Sequence, residues 1–117
     1  MVNERTYETQ RACPVARTLD VLGGRWTMLI LRDLSFGRQK FSALQESLKG
    51  ISANLLSDRL KTLEESGMIE QVAYSAHPPR FEYKLTAKGH AFVPVLVAMR
   101  AYGETWEPEQ RHTAKQV

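Results

Sequence analysis

The sequence predicts a mainly α-helical domain that carries one small β-hairpin, an α+β chain. Three observations predict it. Apolar residues recur at helical spacing through most of the chain, in runs stopped by glycine or restarted by capping residues. Two of these runs are short and are separated only by Lys49-Gly50, a tight turn between neighbouring helices. After Gly67 the apolar period falls to two, and a pair of prolines interrupts it, as between the strands of a hairpin.

With 117 residues, the chain is expected to form one domain with a modest core. Hydrophobic residues make up 43% and charged residues 25%, the balance of a globular protein. A net charge of +3 favours an anionic partner only weakly. The first residues, MVNERTYETQRACP, contain no apolar signal core, and the longest apolar run, Ala91 to Met99, is too short to span a bilayer. A cytoplasmic protein with no membrane partner is therefore expected. One cysteine excludes an intrachain disulfide and a cysteine-rich zinc site.

Residues up to about Gln10 are polar, and an arm over 1–12 is expected to be flexible. Pro14 suits the first position of a helix, with Val15, Leu19 and Leu22 as its apolar side until Gly23-Gly24 ends it. A second helix is predicted from about Arg25, burying Trp26, Leu29, Ile30 and Leu34. Ser35 to Lys40 reads as a polar link holding at most a small strand. Phe41-Ser42 begins a third helix with Leu44 and Leu48 inward. Ser42 with Gln45 matches a capping box.

The fourth helix is the most informative. Ser52 is a good N-cap, because its hydroxyl can accept from a free backbone N–H. Leu56, Leu60 and Leu63 form an apolar stripe, and Gly67 stops the helix in the left-handed conformation. At about 100° per residue, Asn54, Ser57, Asp58 and Lys61 fall on the side opposite the leucines. Such a face is short and hydrogen-bonding. It fits an ordinary solvated helix, or one pressed against base edges in a major groove.

A short helix, a glycine turn and a helix with a polar outer face form a helix-turn-helix, with the second helix placed for the major groove and the first bracing it. Ile69, Val72 and Tyr74, then Phe81, Tyr83 and Leu85, read as two strands joined by the loop SAHPPR. A hairpin in this place is a wing. His77 and Arg80 at its tip suit phosphate or a minor groove, or stand simply solvated.

Thr86 caps a last helical region, which should kink or restart at Pro94. Phe92, Leu96, Met99, Tyr102 and Trp106 exceed the apolar surface a domain this small needs to cover, which favours a homodimer interface built from Leu96, Met99, Tyr102 and Trp106 over a purely intrachain core. The space among Trp26, Phe92, Tyr102 and Trp106 reads either as a pocket for a small-molecule effector or as packed core. The tail over 107–117 reads as unstructured. Catalysis finds no footing: His77, His90 and His112 are scattered, and no metal-ligand spacing, nucleophile elbow or P-loop is present. No enzyme activity, metal or cofactor is expected.

Three stretches, CPVARTLDVLGGRWTMLILRDL, RQKFSALQESLKGISANLLSDRLKTLEESGMI and PPRFEYKLTAKG, resemble the HxlR-type winged helix-turn-helix transcriptional regulators, relatives of the MarR group. The resemblance spans about 13–106 and implies a winged helix-turn-helix with N- and C-terminal dimerisation helices. It implies a homodimer on a pseudo-palindromic double-stranded operator, more often a repressor than an activator. Ser52, Asn54, Ser57, Asp58 and Lys61 match the groove-facing positions. Asp58 either accepts from a cytosine amino group or holds Arg59 or Lys61. Arg59 lies towards the leucine stripe, where a structural or phosphate-clamping role fits better than base reading. Lys40, Ser42 and Lys49 are candidate phosphate contacts.

Cys13 resembles the cysteine that opens the first helix in this family, which in some members senses oxidants, quinones or aldehydes. A thiol there meets the positive end of the helix dipole, with Arg11 and Arg17 near in sequence. Without a second cysteine, its oxidised product would be an intersubunit or mixed disulfide. The competing reading is a packed thiol at the dimer interface. Two alternatives stand beside operator binding: a winged helix that docks on another protein, and a regulator controlled by a non-covalent small molecule.

Overall fold

In the computed structural model, which describes residues 8–109, a short 3-10 turn (Glu8–Gln10) leads into four helices. These are α1 (Pro14–Leu22), α2 (Thr27–Ser35), α3 (Phe41–Ser47) and α4 (Ala53–Glu65). A hairpin follows, β1 (Ile69–Ala76) and β2 (Pro79–Leu85), and then α5 (Ala87–Ala91) and α6 (Val93–Trp106). The expected flexible ends lie largely outside the described residues, but Glu8–Gln10 forms a turn, and the Cys13 N–H donates to the Gln10 carbonyl at 2.9 Å. No helix among the described residues is long and apolar enough to cross a membrane.

The core is formed by Ile30, Leu31 and Leu34 of α2, Leu44 of α3 with Leu48, Leu56, Leu60 and Leu63 of α4, and Ile69 and Leu85 at the base of the hairpin. Helices α2, α3 and α4 thus each turn apolar residues inward to one shared core. Its N-cap is the one predicted: Ser52 Oγ accepts from the Leu55 N–H at 3.0 Å. Its C-terminus closes with Gly67 at φ +80, the Gly67 N–H on Glu64 O (3.0 Å) and the Met68 N–H on Leu63 O (2.9 Å). That pattern is a Schellman motif with buried Met68 packed behind it.

The same end of α4 is tied to α5. Thr86 donates its hydroxyl to Gly67 O and accepts from the Gly89 N–H, capping α5, while Lys88 Nζ donates to Ser66 O at 2.7 Å. Helix α6 restarts beyond Phe92 with Pro94 in its first turn, as the missing proline N–H requires.

The hairpin is antiparallel, from Ile69↔Leu85 at its base to Ala76↔Pro79 at its tip, with a bulge between Ala73 and Ser75. Tyr83 N–H donates to Gln39 O at 2.8 Å, so the α2–α3 link touches the wing without becoming a strand.

Several expectations are corrected. SAHPPR is not a loop throughout: the strands run on to Ala76 and Pro79, and only His77-Pro78, joined by a cis peptide, makes the turn. Pro79 is tolerated because it opens its strand. Helix α2 starts at Thr27, not Arg25, because Trp26 adopts a left-handed φ of +81. The Ser42–Gln45 capping box does not form. The extended residue before α3 is Lys40, which places Ser42 inside the helix without a cap hydrogen bond. Val15 and Leu29 are exposed, since α1 and α2 bury Ala16, Leu22, Ile30, Leu31 and Leu34 instead. The aromatic space is absent too. Trp26 and Phe92 pack against the core, whereas Tyr102 and Trp106, 65% and 63% exposed, project outward where α6 leaves it.

Candidate nucleic-acid interface

With Leu56, Leu60 and Leu63 buried, helical geometry leaves Asn54, Ser57, Asp58 and Lys61 exposed on the opposite side of α4, and Ser52 is exposed at its N-cap. The face offers an amide, hydroxyls, a carboxylate and one ammonium, and no large apolar side chain. Ser52 spends its acceptor on the helix cap but keeps its O–H as a donor. Asp58 accepts from Arg59 Nη1 at 2.9 Å, so the arrangement in which this carboxylate holds Arg59 is present in the fold. Arg59 itself is turned inward: its side chain is 14% exposed, and Nε donates to Arg25 O at 3.1 Å.

Around α4 the other sequence-selected residues form a rim. Lys49 is exposed just before Gly50, whose φ of +96 makes the turn between α3 and α4. Ser42 is exposed on α3. Lys40 Nζ sits 4.7 Å from the centre of the Tyr74 ring, a cation–π contact that joins the α3 entry to the wing. His77 and Arg80 are exposed at the wing tip.

Three further residues lie near this rim and carry no site role in the sequence reading. Arg38 shares a shallow polar groove with Ala43, Glu46, Ser47 and Lys49, adding a second cation beside Lys49. Tyr74 was read only as a strand residue. Asp33 is fully buried on α2, with Oδ1 accepting from Arg32 (2.9 and 3.1 Å) and lying 3.7 Å from Arg38 Nη1, while Oδ2 has no hydrogen-bond partner. A signal for Asp33 existed: it sits on the buried Ile30–Leu34 side between two arginines in sequence, where a carboxylate must be paired to be tolerated.

Cys13 is the N-cap residue of α1 and is exposed. The Arg17 guanidinium donates to Arg11 O, so it serves the turn ahead of α1. On α6, Leu96 is half-buried, and Met99, Tyr102 and Trp106 are exposed. Between α2 and α6 runs a groove of about 530 Å³, floored by Met28, Leu29, Phe36, Val93, Leu96 and Val97.

A family model described as an HxlR-like helix-turn-helix matches residues 21–111. The chain belongs to the HxlR-like helix-turn-helix family. Its relatives are transcriptional regulators, not enzymes. It is 40% identical over 100 residues to sll1512, an uncharacterised HTH-type transcriptional regulator of Synechocystis sp., covering 86% of this chain and 74% of the relative. It spans 59% of the length of the mycobacterial relatives that it matches at 40% identity. Among solved structures, PA1607 superposes with a TM-score of 0.78 at 46% identity, covering 86% of this chain and 69% of that one. The reduced transcriptional regulator YodB from B. subtilis superposes with a TM-score of 0.69 at 34% identity, covering 82% of this chain and 96% of YodB. The HxlR-like fold accounts for the winged arrangement, with α3 and α4 as its helix-turn-helix and β1–β2 as its wing.

Proposed function

We propose that this HxlR-like chain is a homodimeric, sequence-specific repressor that reads a pseudo-palindromic operator with α4. The observation carrying this reading is the outer face of α4. A helix packed on three leucines turns Ser52, Asn54, Ser57, Asp58 and Lys61 to solvent. Side chains this short can approach base edges closely, and Asn54 is suited to a bidentate contact with adenine. Lys40, Ser42 and Lys49 flank that face, and His77 and Arg80 tip the wing, so phosphate contacts on either side would set the register.

The dimer reading rests on α6. None of its residues is fully buried, and Met99 and Tyr102 present apolar surface beside the α2–α6 groove. A second copy covering this strip with Leu96, Met99, Tyr102 and Trp106 removes that surface from water and places two α4 helices on one duplex. In this reading the groove is filled by the partner and holds no effector.

Cys13 serves as the redox input. Its thiol is exposed at the start of α1. A quinone or peroxide would take two electrons and two protons from two Cys13 thiols, one per protomer, leaving an intersubunit S–S bond and a quinol or water. The test is a mobility shift with sheared genomic DNA over a salt series, before and after a quinone and then a thiol reductant. DNA retained at low salt, released steeply as salt rises and released by the quinone only while Cys13 is present, supports the reading. Release of DNA by quinone from a Cys13→Ser variant removes the redox part, and no retained DNA at low salt removes the whole, leaving a protein-docking winged helix.

A further inference from the structure

The corner between α1 and α2 is built around Arg59. Its Nε donates to Arg25 O, its Nη1 is paired with Asp58, and its Nη2 lies against Gly24. A Cβ on residue 24 would stand 2.6 Å from Nε and 2.8 Å from Cζ, so the guanidinium occupies the space that any other side chain there would need. Trp26 holds a left-handed φ of +81, an outlier for a bulky residue. Its indole reaches to 3.9 Å from where a Cβ on Gly50 would be, at the turn that launches α4. The corner therefore touches α4 twice, at the middle through Arg59 and at its entry through Trp26.

These contacts differ in kind from the leucine stripe. Packing of Leu56, Leu60 and Leu63 is not directional and tolerates some roll of α4 about its axis. The hydrogen bond to Arg25 O and the seat on Gly24 do not. We infer that Arg59 is a positioning residue: seated on Gly24, it fixes the roll of α4 and so aims Asn54 and Ser57, and it makes no contact with DNA itself. This inference rests on the operator-binding reading of α4 and adds to it the part that aligns the helix.

The test uses the full-length protein with genomic fragments that the wild type selects, and scrambled fragments of equal length. Gly24→Ala, Arg59→Ala and the double variant are compared for affinity, salt slope, dimer mass and thermal midpoint. Each single change is expected to lower the selected-to-scrambled affinity ratio by about tenfold, the loss of one well-aligned base contact. The double variant falls no further than Arg59→Ala, and the salt slope stays that of the wild type, because no phosphate contact is removed. A mere loss of stability would move the thermal midpoint and leave that ratio intact. A salt slope reduced by about one in Arg59→Ala, with both fragments weakened alike, identifies a phosphate contact and overturns the inference. So does an unchanged ratio in a folded Gly24→Ala. Should Gly24→Ala not fold, Arg59→Lys decides: it keeps the charge but not the fork, and a wild-type ratio in that variant overturns the inference. A wild-type protein that retains no DNA overturns the operator reading and this inference with it, an outcome distinct from selective DNA binding with additive variants.

Discussion

Lys49 and Asn54 lie on either side of the Gly50 turn and are assigned different chemistry. Lys49 is an exposed ammonium before α4; Asn54 is a short amide within its first turn. Replacing Lys49 by alanine is expected to weaken binding to every DNA sequence alike and to flatten the salt slope by about one, as measured by anisotropy titrations across salt. A loss confined to one sequence would contradict the phosphate assignment. Tyr83 gives a second test at this scale. Burial, and after it the Glu64 carboxylate, push its phenol above the ordinary value of 10.0. The protonated phenol is thus favoured in the folded state. Its contribution to stability is complete below the unfolded value and is lost as pH rises through the higher folded one. Denaturant midpoints measured from neutral pH to beyond the phenol range should fall at the alkaline end, and less so in Tyr83→Phe. Equal alkaline losses in both would contradict it.

At the scale of elements, the junction of α4, β1 and α5 closes tightly around Gly89. A Cβ on Gly89 would meet Met68 O at 2.2 Å, a backbone atom that cannot swing aside. Gly89→Ala should therefore lower stability by about 1–3 kcal/mol, read from the thermal or urea midpoint, and an unchanged midpoint would show that the junction yields. Helix α6 makes the opposite case, with its apolar residues facing out. Tyr102→Glu should leave the fold intact and shift the mass in sedimentation from dimer towards monomer; a persisting dimer would place the interface elsewhere. Local chemistry made much of this legible from sequence. Ser52, Gly67 and Thr86 cap and stop helices through atoms a few residues away, and the leucine period of α4 reports its buried side directly. What was not legible depends on distant atoms. Lys40, rather than Ser42, is the extended residue ahead of α3, and Trp26 turns left-handed beside Gly50, a contact between different elements. Periodicity marked Val15 and Leu29 as apolar-face residues but cannot say whether such a face meets its own core or another chain. Of the site, the outer face of α4 was legible because it is what the leucines leave over, and so was the lean of Arg59 towards the leucine stripe; its seat against Gly24 and Arg25 O was not, because those atoms belong to a distant corner of the chain.

At the scale of the whole molecule, a net charge of +3 is too small to drive strong binding to any polyanion by itself. In the proposed dimer, specificity comes from the placement of a few groups, presented twice. A dimer through α6 would set its two α4 helices about 34–36 Å apart, or a multiple of that, to meet successive major grooves on one side of the duplex. The claim beneath all of this is that the outer face of α4 reads bases. Its most direct test is the ratio of affinities for selected and scrambled DNA in Asn54→Ala and Ser57→Ala, set against the wild type at one fixed salt concentration. The expected result is a ratio reduced by about 1–3 kcal/mol wherever the lost group made a bidentate contact, with dimer mass and folding unchanged. A ratio equal to that of the wild type in both variants would contradict it.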